Sequence, residues 1–274
     1  MPGLDNWFVT NLTPTAKNWQ NQFAVSFNFK PEELDLNFET ASDTTAKLIA
    51  DRYDNLHLAL SGGLDSEYVA SVLIRNKIPF TLVIVIANGA YEYESWWAFD
   101  FCKKNNLKPL VFDYHNKVHE LLKLMLVYSL QYQLPVNNGL IPCVTASLVP
   151  GPVLTGQGDL VPMSKTYNDV IGDVVEGLEC DYYLDLLGLQ HPSGFFTYTP
   201  SMCFSLLSSL DRNDNTQSAK AKLYDVPFRG KISVFCVDQI PKHLLAVAEQ
   251  TKKIDKLRWV HWSYQELSKT FRKN

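Results

Sequence analysis

From residue 56 onward the apolar positions switch between two rhythms. LHLAL (56–60) is a short apolar run that stops at two glycines, and residues 65–77 then space their apolar positions along one helical face. FTLVIVIA (80–87) is uninterrupted, and its Val and Ile content suits a strand covered on both faces of a parallel sheet. Residues 91–106 read as a helix, KPLVFDY (108–114) as a third strand, and 116–133 as a long helix. After Pro135, IPCVTASLV (141–149) predicts a helix and GPVLTGQGD (151–159) a fourth strand with a second glycine-rich end. Strands that alternate with crossovers long enough to be helical predict an α/β fold with a doubly wound parallel sheet. In such sheets ligands lie beyond the carboxyl ends of the strands, where SGGLDS and TGQGD both fall.

The flanks are less regular. FAVSFNF (23–29) alternates like a strand, and TAKLIADRY (45–53) reads as a short helix started by Ser42 or Asp43. Beyond residue 165, 199–210 predicts a helix with Pro200 in its first turn, 214–225 a second, 232–237 a strand and 263–274 a terminal helix. The expected organisation is an N-terminal extension (1–50), an α/β nucleotide-binding domain (51–165) and a mixed substrate or interaction region (166–274).

Composition adds mainly exclusions. A net charge of −4 provides no global positive field for nucleic acid. No apolar run approaches the roughly 18 residues that span a bilayer, and MPGLDNWFVTNLTP lacks the basic-then-apolar order of a secretory signal. The five cysteines (Cys102, Cys143, Cys180, Cys203, Cys236) are never spaced as CxxC, against a disulfide framework or a zinc ribbon. A cytoplasmic protein is expected.

The chemistry concentrates in Ser61-Gly62-Gly63-Leu64-Asp65-Ser66. Two glycines at a strand end let the backbone turn sharply and approach an oxyanion with no Cβ in the way. The helix that follows offers unpaired N–H groups and the positive end of its dipole. Ser61 and Ser66 add hydroxyls. A carboxylate at Asp65 would repel phosphate unless a divalent cation lay between them, and Mg²⁺ favours one or two carboxylates plus phosphate oxygens. The Walker lysine is absent, since Glu67 and Tyr68 stand where it would be sought. A plain strand–helix turn would explain the glycines but not the whole hexapeptide.

SGGLDS resembles the PP-loop of the N-type ATP pyrophosphatases, and the likeness extends over roughly residues 45–165. The resemblance implies cleavage of ATP between its α- and β-phosphates. The loop would hold pyrophosphate while an acceptor oxygen becomes adenylated for amide or related bond formation. It implies nucleotide contacts from Leu60, Ser61, Gly62, Gly63, Leu64, Asp65 and Ser66, with Ala59, Ile86 and Ala87 near adenine and ribose. TGQGDLV is similar to the second glycine-rich turn of the asparagine-synthetase-like branch, which adds Gly156, Gly158 and Asp159. Asp65 and Asp159 would then be both catalytic and metal ligands for Mg²⁺. An ordinary strand-end turn with a solvated aspartate remains open at Asp159.

The chain departs from that branch in beginning Met-Pro-Gly rather than with a catalytic cysteine, so a glutaminase acting in cis is not expected. Any ammonia would come free or from a separate partner. A small-molecule acceptor is expected, with a homodimer possible in principle. A tRNA- or nucleobase-modifying member of the superfamily and an ATP- or AMP-binding regulatory module are the alternatives. KAKLYDVPFRGK (220–231) supplies Lys220, Lys222, Arg229 and Lys231, which would either neutralise the α-phosphate, with Lys222 the catalytic candidate, or form a solvated basic face. His115 and His119 read as a solvated helix face, and Glu92 and Glu94 as charges at a helix N-terminus. The aromatics Tyr91, Tyr93, Trp96, Trp97, Phe99 and Phe101 read as core or a subunit-facing surface. FFTYTPSMCF (195–204) fits a pocket lining or core. Asp65→Ala is expected to leave the fold intact, as the loss of a surface carboxylate.

Overall fold

The leucines of LHLAL owe their place to burial: Leu56, Leu58 and Leu60 lie in the core, with the central strand flanked by neighbours on both sides. The protein is described by a computed structural model over residues 8–12, 23–27, 34–87, 92–114, 120–121, 124, 127, 140–156, 184, 188–192, 194–211, 214 and 216–227. Strands β1 (Phe8–Leu12) and β2 (Phe23–Phe27) pair antiparallel, Phe8 opposite Phe27, as a separate ribbon. The main sheet holds β3 (His57–Ala59), β4 (Thr81–Ala87), β5 (Leu110–Tyr114) and β6 (Val153–Leu154) in the order β5-β4-β3-β6.

All its pairings are parallel: Leu58 opposes both Leu82 and Leu154, and Val85 opposes Phe112. The α/β parallel sheet anticipated from the sequence is therefore present. The chain steps outward from β3 through β4 to β5, then returns to place β6 on the other side of β3. That reversal makes a topological switch point beside β3, the place where open parallel sheets bind ligands.

Helices α1 (Phe38–Arg52), α2 (Leu64–Arg75), α3 (Glu92–Lys104), α4 (Leu140–Ser147), α5 (Pro200–Ser209) and α6 (Thr216–Leu223) accompany the sheet. α1 starts earlier than the sequence suggests. Asn37, not Ser42 or Asp43, is its cap, its side chain accepting from the N–H of Thr40 at 2.9 Å. Ser42 instead lies inside the helix, its hydroxyl donating to Phe38 O (2.7 Å) and bonding Tyr68 Oη (2.7 Å). Asp43 accepts from Arg75 Nε and Asn76 Nδ2, both at 2.7 Å, which ties α1 to α2.

α5 starts as its sequence predicts, with Pro200 in the first turn and Thr199 Oγ1 accepting from Met202 N at 3.1 Å. The same hydroxyl bonds Thr45 of α1 at 2.9 Å. Phe195, Phe196, Tyr198, Met202 and Cys203 are buried, so FFTYTPSMCF is core rather than pocket lining. Phe195 N donates to Thr155 O (3.0 Å), which carries the sheet's edge one bridge past β6. The expected helix at 116–133 lies largely, and the elements at 232–237 and 263–274 wholly, outside the described residues.

One buried cluster draws on both sides of residue 165, from Phe38 and Leu58 to Met202 and Tyr224. Its densest part is a pile of near-parallel rings: Tyr68 on Tyr224 at 4.4 Å, Phe38 on Tyr68 at 5.1 Å, and Phe196 on Tyr224 at 6.0 Å. Burial raises the Tyr68 phenol, lifts Tyr198 to about 12, and with the Asp65 charge second carries Tyr224 well above 10. These phenols bind their protons more tightly folded than unfolded. The stability they contribute is whole below about pH 10 and is lost as pH rises past it. Alkaline titration should show phenolate absorbance at 295 nm rising together with loss of helical circular dichroism. Ionisation of these phenols at ordinary pH, with the fold unchanged, would contradict the burial described.

Among the described residues no helix is long and apolar enough to cross a membrane. On α3, Phe101 is buried while Trp96 is largely exposed and Trp97 and Phe99 are partly so; the residues divide between core and surface.

Candidate functional site: the SGGLDS loop

Leu60 directly follows the central strand, its N–H donating to Val83 O at 2.8 Å while its side chain lies in the core. The chain then reverses through Gly62, whose φ of +89° is in the left-handed region that a Cβ disfavours. Gly63 caps α2 in extended geometry with no side-chain cap bond. The first intrahelical bond is Glu67 N to Gly63 O (3.2 Å), so the N–H groups of Leu64, Asp65 and Ser66 precede it and point out of the helix's positive end. Leu64 contributes its backbone only, since its side chain is buried.

The two serines preform the turn. Ser66 Oγ donates to Gly63 O (3.1 Å) and accepts from Ser61 N (3.3 Å). Ser61 Oγ lies 3.1 Å from Ser66 Oγ and accepts from Gly63 N at 3.2 Å. With the Ser66 proton committed to Gly63, the proton between the two hydroxyls belongs to Ser61. That exposed hydroxyl can turn to an incoming anion without unmaking the rest.

The second glycine-rich strand end lies against the first. A Cβ on Gly156 would stand 2.7 Å from Ser66 N and 2.9 Å from Asp65 C. Only glycine lets the turn after β6 touch the start of α2. The structure thus brings Ser61, Gly62, Gly63, Leu64, Asp65, Ser66 and Gly156 together; Ile86 is the penultimate residue of the neighbouring strand β4, partly buried. Gly158 and Asp159 lie outside the described residues, as do His115, His119, Arg229 and Lys231. Glu92 opens α3 and Glu94 lies in its first turn, as expected.

Asp65 has company the sequence did not announce. Its Oδ2 pairs with Lys220 Nζ at 3.1 Å, and its Oδ1 accepts from Tyr224 Oη at 2.8 Å. The Lys220 side chain is 2% exposed and that of Asp65 24%. Lys222, the lysine favoured from the sequence, is not part of this cluster. It is 72% exposed and pairs with Asp214 at 2.6 Å. Two residues along a helix is about 200° of rotation, so Lys220 and Lys222 cannot serve the same face. The overlooked signal was the i, i+4 spacing of Lys220 and Tyr224, which stacks them on one side of α6 and its end.

No family model and no curated protein matches the chain. Solved structures similar to it include an NH3-dependent NAD synthetase from Campylobacter jejuni, 16% identical, over 80% of this chain and 95% of that one, with a TM-score of 0.33. A predicted subunit of tRNA methyltransferase from Methanocaldococcus jannaschii is 13% identical over 62% of this chain and 86% of that one, TM-score 0.32. A glutamine-dependent NAD+ synthetase from Acinetobacter baumannii is 12% identical over 85% and 46%, TM-score 0.36. At these identities and TM-scores the likenesses carry no weight for function. The parallel sheet and the loop at its central strand stand on the structure itself, and they agree with the fold that the PP-loop resemblance implies.

The donor set fits an anion: a glycine turn, three outward N–H groups and a serine hydroxyl at the carboxyl end of β3. A divalent ion at Asp65 fits by charge and by partial exposure, but each carboxylate oxygen already has a protein donor. Among the described residues no cluster of three or more His, Cys, Asp or Glu is placed to hold a metal. The two described free cysteines, Cys102 and Cys203, are buried, and burial raises both thiols, which makes them poor nucleophiles.

Proposed function

We propose that the protein is an ATP pyrophosphatase of the PP-loop type, an AMP- and pyrophosphate-forming synthetase that adenylates an oxygen of a small-molecule acceptor. What carries the reading is the Ser-Gly-Gly-x-Asp-Ser turn at the carboxyl end of β3, at the switch point, with Gly156 of the adjacent strand end in contact with it.

In this reading the N–H groups of Leu64, Asp65 and Ser66 and the Ser61 hydroxyl hold the β- and γ-phosphates. An acceptor oxygen attacks the α-phosphorus; the new O–P bond forms as the bond from that phosphorus to the bridging oxygen breaks, and pyrophosphate leaves with the electron pair. Donors already aimed at the leaving group stabilise the charge that develops there and need no reorganisation. A second nucleophile then displaces AMP. Asp65 and Asp159 are the residues that would hold Mg²⁺, which would supply charge neutralisation at the leaving pyrophosphate. Lys220 takes over the basic role first sought at Lys222, being the lysine that reaches the loop.

The test is product analysis after incubation with ATP, Mg²⁺ and fractions of a small-metabolite extract. AMP appearing with one fraction supports the reading and identifies the acceptor. ADP with phosphate overturns it, and ATP binding without turnover points to a regulatory module.

A further inference from the structure

Asp65 is the carboxylate that the proposed reaction would give to a divalent ion, yet the folded chain gives it a lysine. Lys220 Nζ lies 3.1 Å from Oδ2 and Tyr224 Oη 2.8 Å from Oδ1, so both oxygens are engaged from α6 and its end. The two donors differ in freedom. Tyr224 is buried in a cluster of near-parallel rings, with Tyr68 at 4.4 Å, Phe38 at 5.8 Å and Phe196 at 6.0 Å. Lys220 reaches the carboxylate on a flexible four-carbon stem. Its side chain is 2% exposed, and a buried ammonium is retained only where it is paired.

We infer that Lys220 is a built-in cation for Asp65, occupying in the nucleotide-free protein the place a divalent ion would take, so that ion and lysine compete for one carboxylate. Tyr224 holds the carboxylate in register throughout, as a positioning residue, and Lys220 is the part that yields. The free protein therefore binds divalent ions poorly at this loop. The ion arrives with the phosphates, whose negative charge offers the lysine an alternative to Asp65. A like charge within about 4–6 Å shifts an ionic equilibrium by about one power of ten or more, which sets the size of the competition.

The inference deepens the proposed function but is tested apart from it, in the full chain without nucleotide, using Mn²⁺ alone as the probe and the electron paramagnetic resonance signal of the free ion as the readout. Lys220→Gln should bind Mn²⁺ about tenfold tighter or more than the wild-type chain, and Lys220→Arg, which keeps the charge, should not. Adding Asp65→Asn to Lys220→Gln should remove the gain. Equal affinities in wild type and Lys220→Gln, or a gain that survives Asp65→Asn, would overturn the inference. Should Lys220→Gln fold poorly, Mn²⁺ is expected to raise its melting temperature while leaving that of the wild type unchanged; no such rise would equally overturn it. Since no ATP is present and no turnover is read, failure to form AMP in the product assay leaves this result standing, and the reverse holds.

Discussion

Asp65→Ala should abolish AMP formation and also lower the stability of the protein by about 3–5 kcal/mol, the cost of removing one member of a largely buried ion pair. The sequence alone suggested the opposite for the fold, because an aspartate in a glycine-rich turn reads as a surface carboxylate. The structure overturns that expectation: Asp65 is the partner of Lys220, whose side chain is 2% exposed. Without the carboxylate the buried ammonium loses its charged partner on α2. For a chain of this size the loss corresponds to a fall in melting temperature of about 10 °C. The double variant Asp65→Ala/Lys220→Met separates the two effects. Replacing both members of a buried pair by apolar groups is often neutral, so the double variant should melt near the wild type while remaining inactive. If Asp65→Ala melts with the wild type, the pairing across α2 and α6 is wrong.

Gly156→Ala is expected to cost about 1–3 kcal/mol of stability and to lower kcat/KM by about a hundredfold. The added methyl would meet Ser66 N at 2.7 Å and the Asp65 and Ser66 backbone carbons at 2.9 Å, and backbone cannot rotate out of the way as a side chain would. The turn after β6 and the start of α2 must separate, which moves the N–H groups that face the phosphates. Gly151→Ala is the control at the opposite end of the same strand. Its methyl would meet Asn55 O at 2.7 Å, on the side of β6 away from the loop, so it should cost stability and leave kcat/KM unchanged. Equal kinetic losses in both variants would mean that Gly156 acts through stability alone.

The layout of the fold was legible in the sequence because its strongest signals are local. β4 buries Leu82, Val83 and Ile84 within an apolar run, and glycines follow the ends of β3 and β6. The α1 start was misread because Ser42 is a cap residue by type; inside the helix it is satisfied by Phe38 O and Tyr68, which only the tertiary fold supplies. The loop was legible for the same local reason, its chemistry being carried by six consecutive residues. Its partner on α6 was not, since Lys220 stands 155 positions from Asp65 and differs from Lys222 only in the face it presents. A lysine between two alanines, four residues before a tyrosine, was the available hint. The close approach of Gly156 to Ser66 left only the identity of a glycine as its trace.

The central claim is that ATP is opened at its α-phosphorus over the SGGLDS loop, and exchange of labelled pyrophosphate into ATP tests it most directly. With the acceptor fraction present, adenylation is reversible and label should appear in the β- and γ-phosphates of ATP; Gly156→Ala should slow that exchange as it slows turnover. ATP consumed while no label enters it, with ADP accumulating, would place the cleavage at the γ-phosphate and contradict the account.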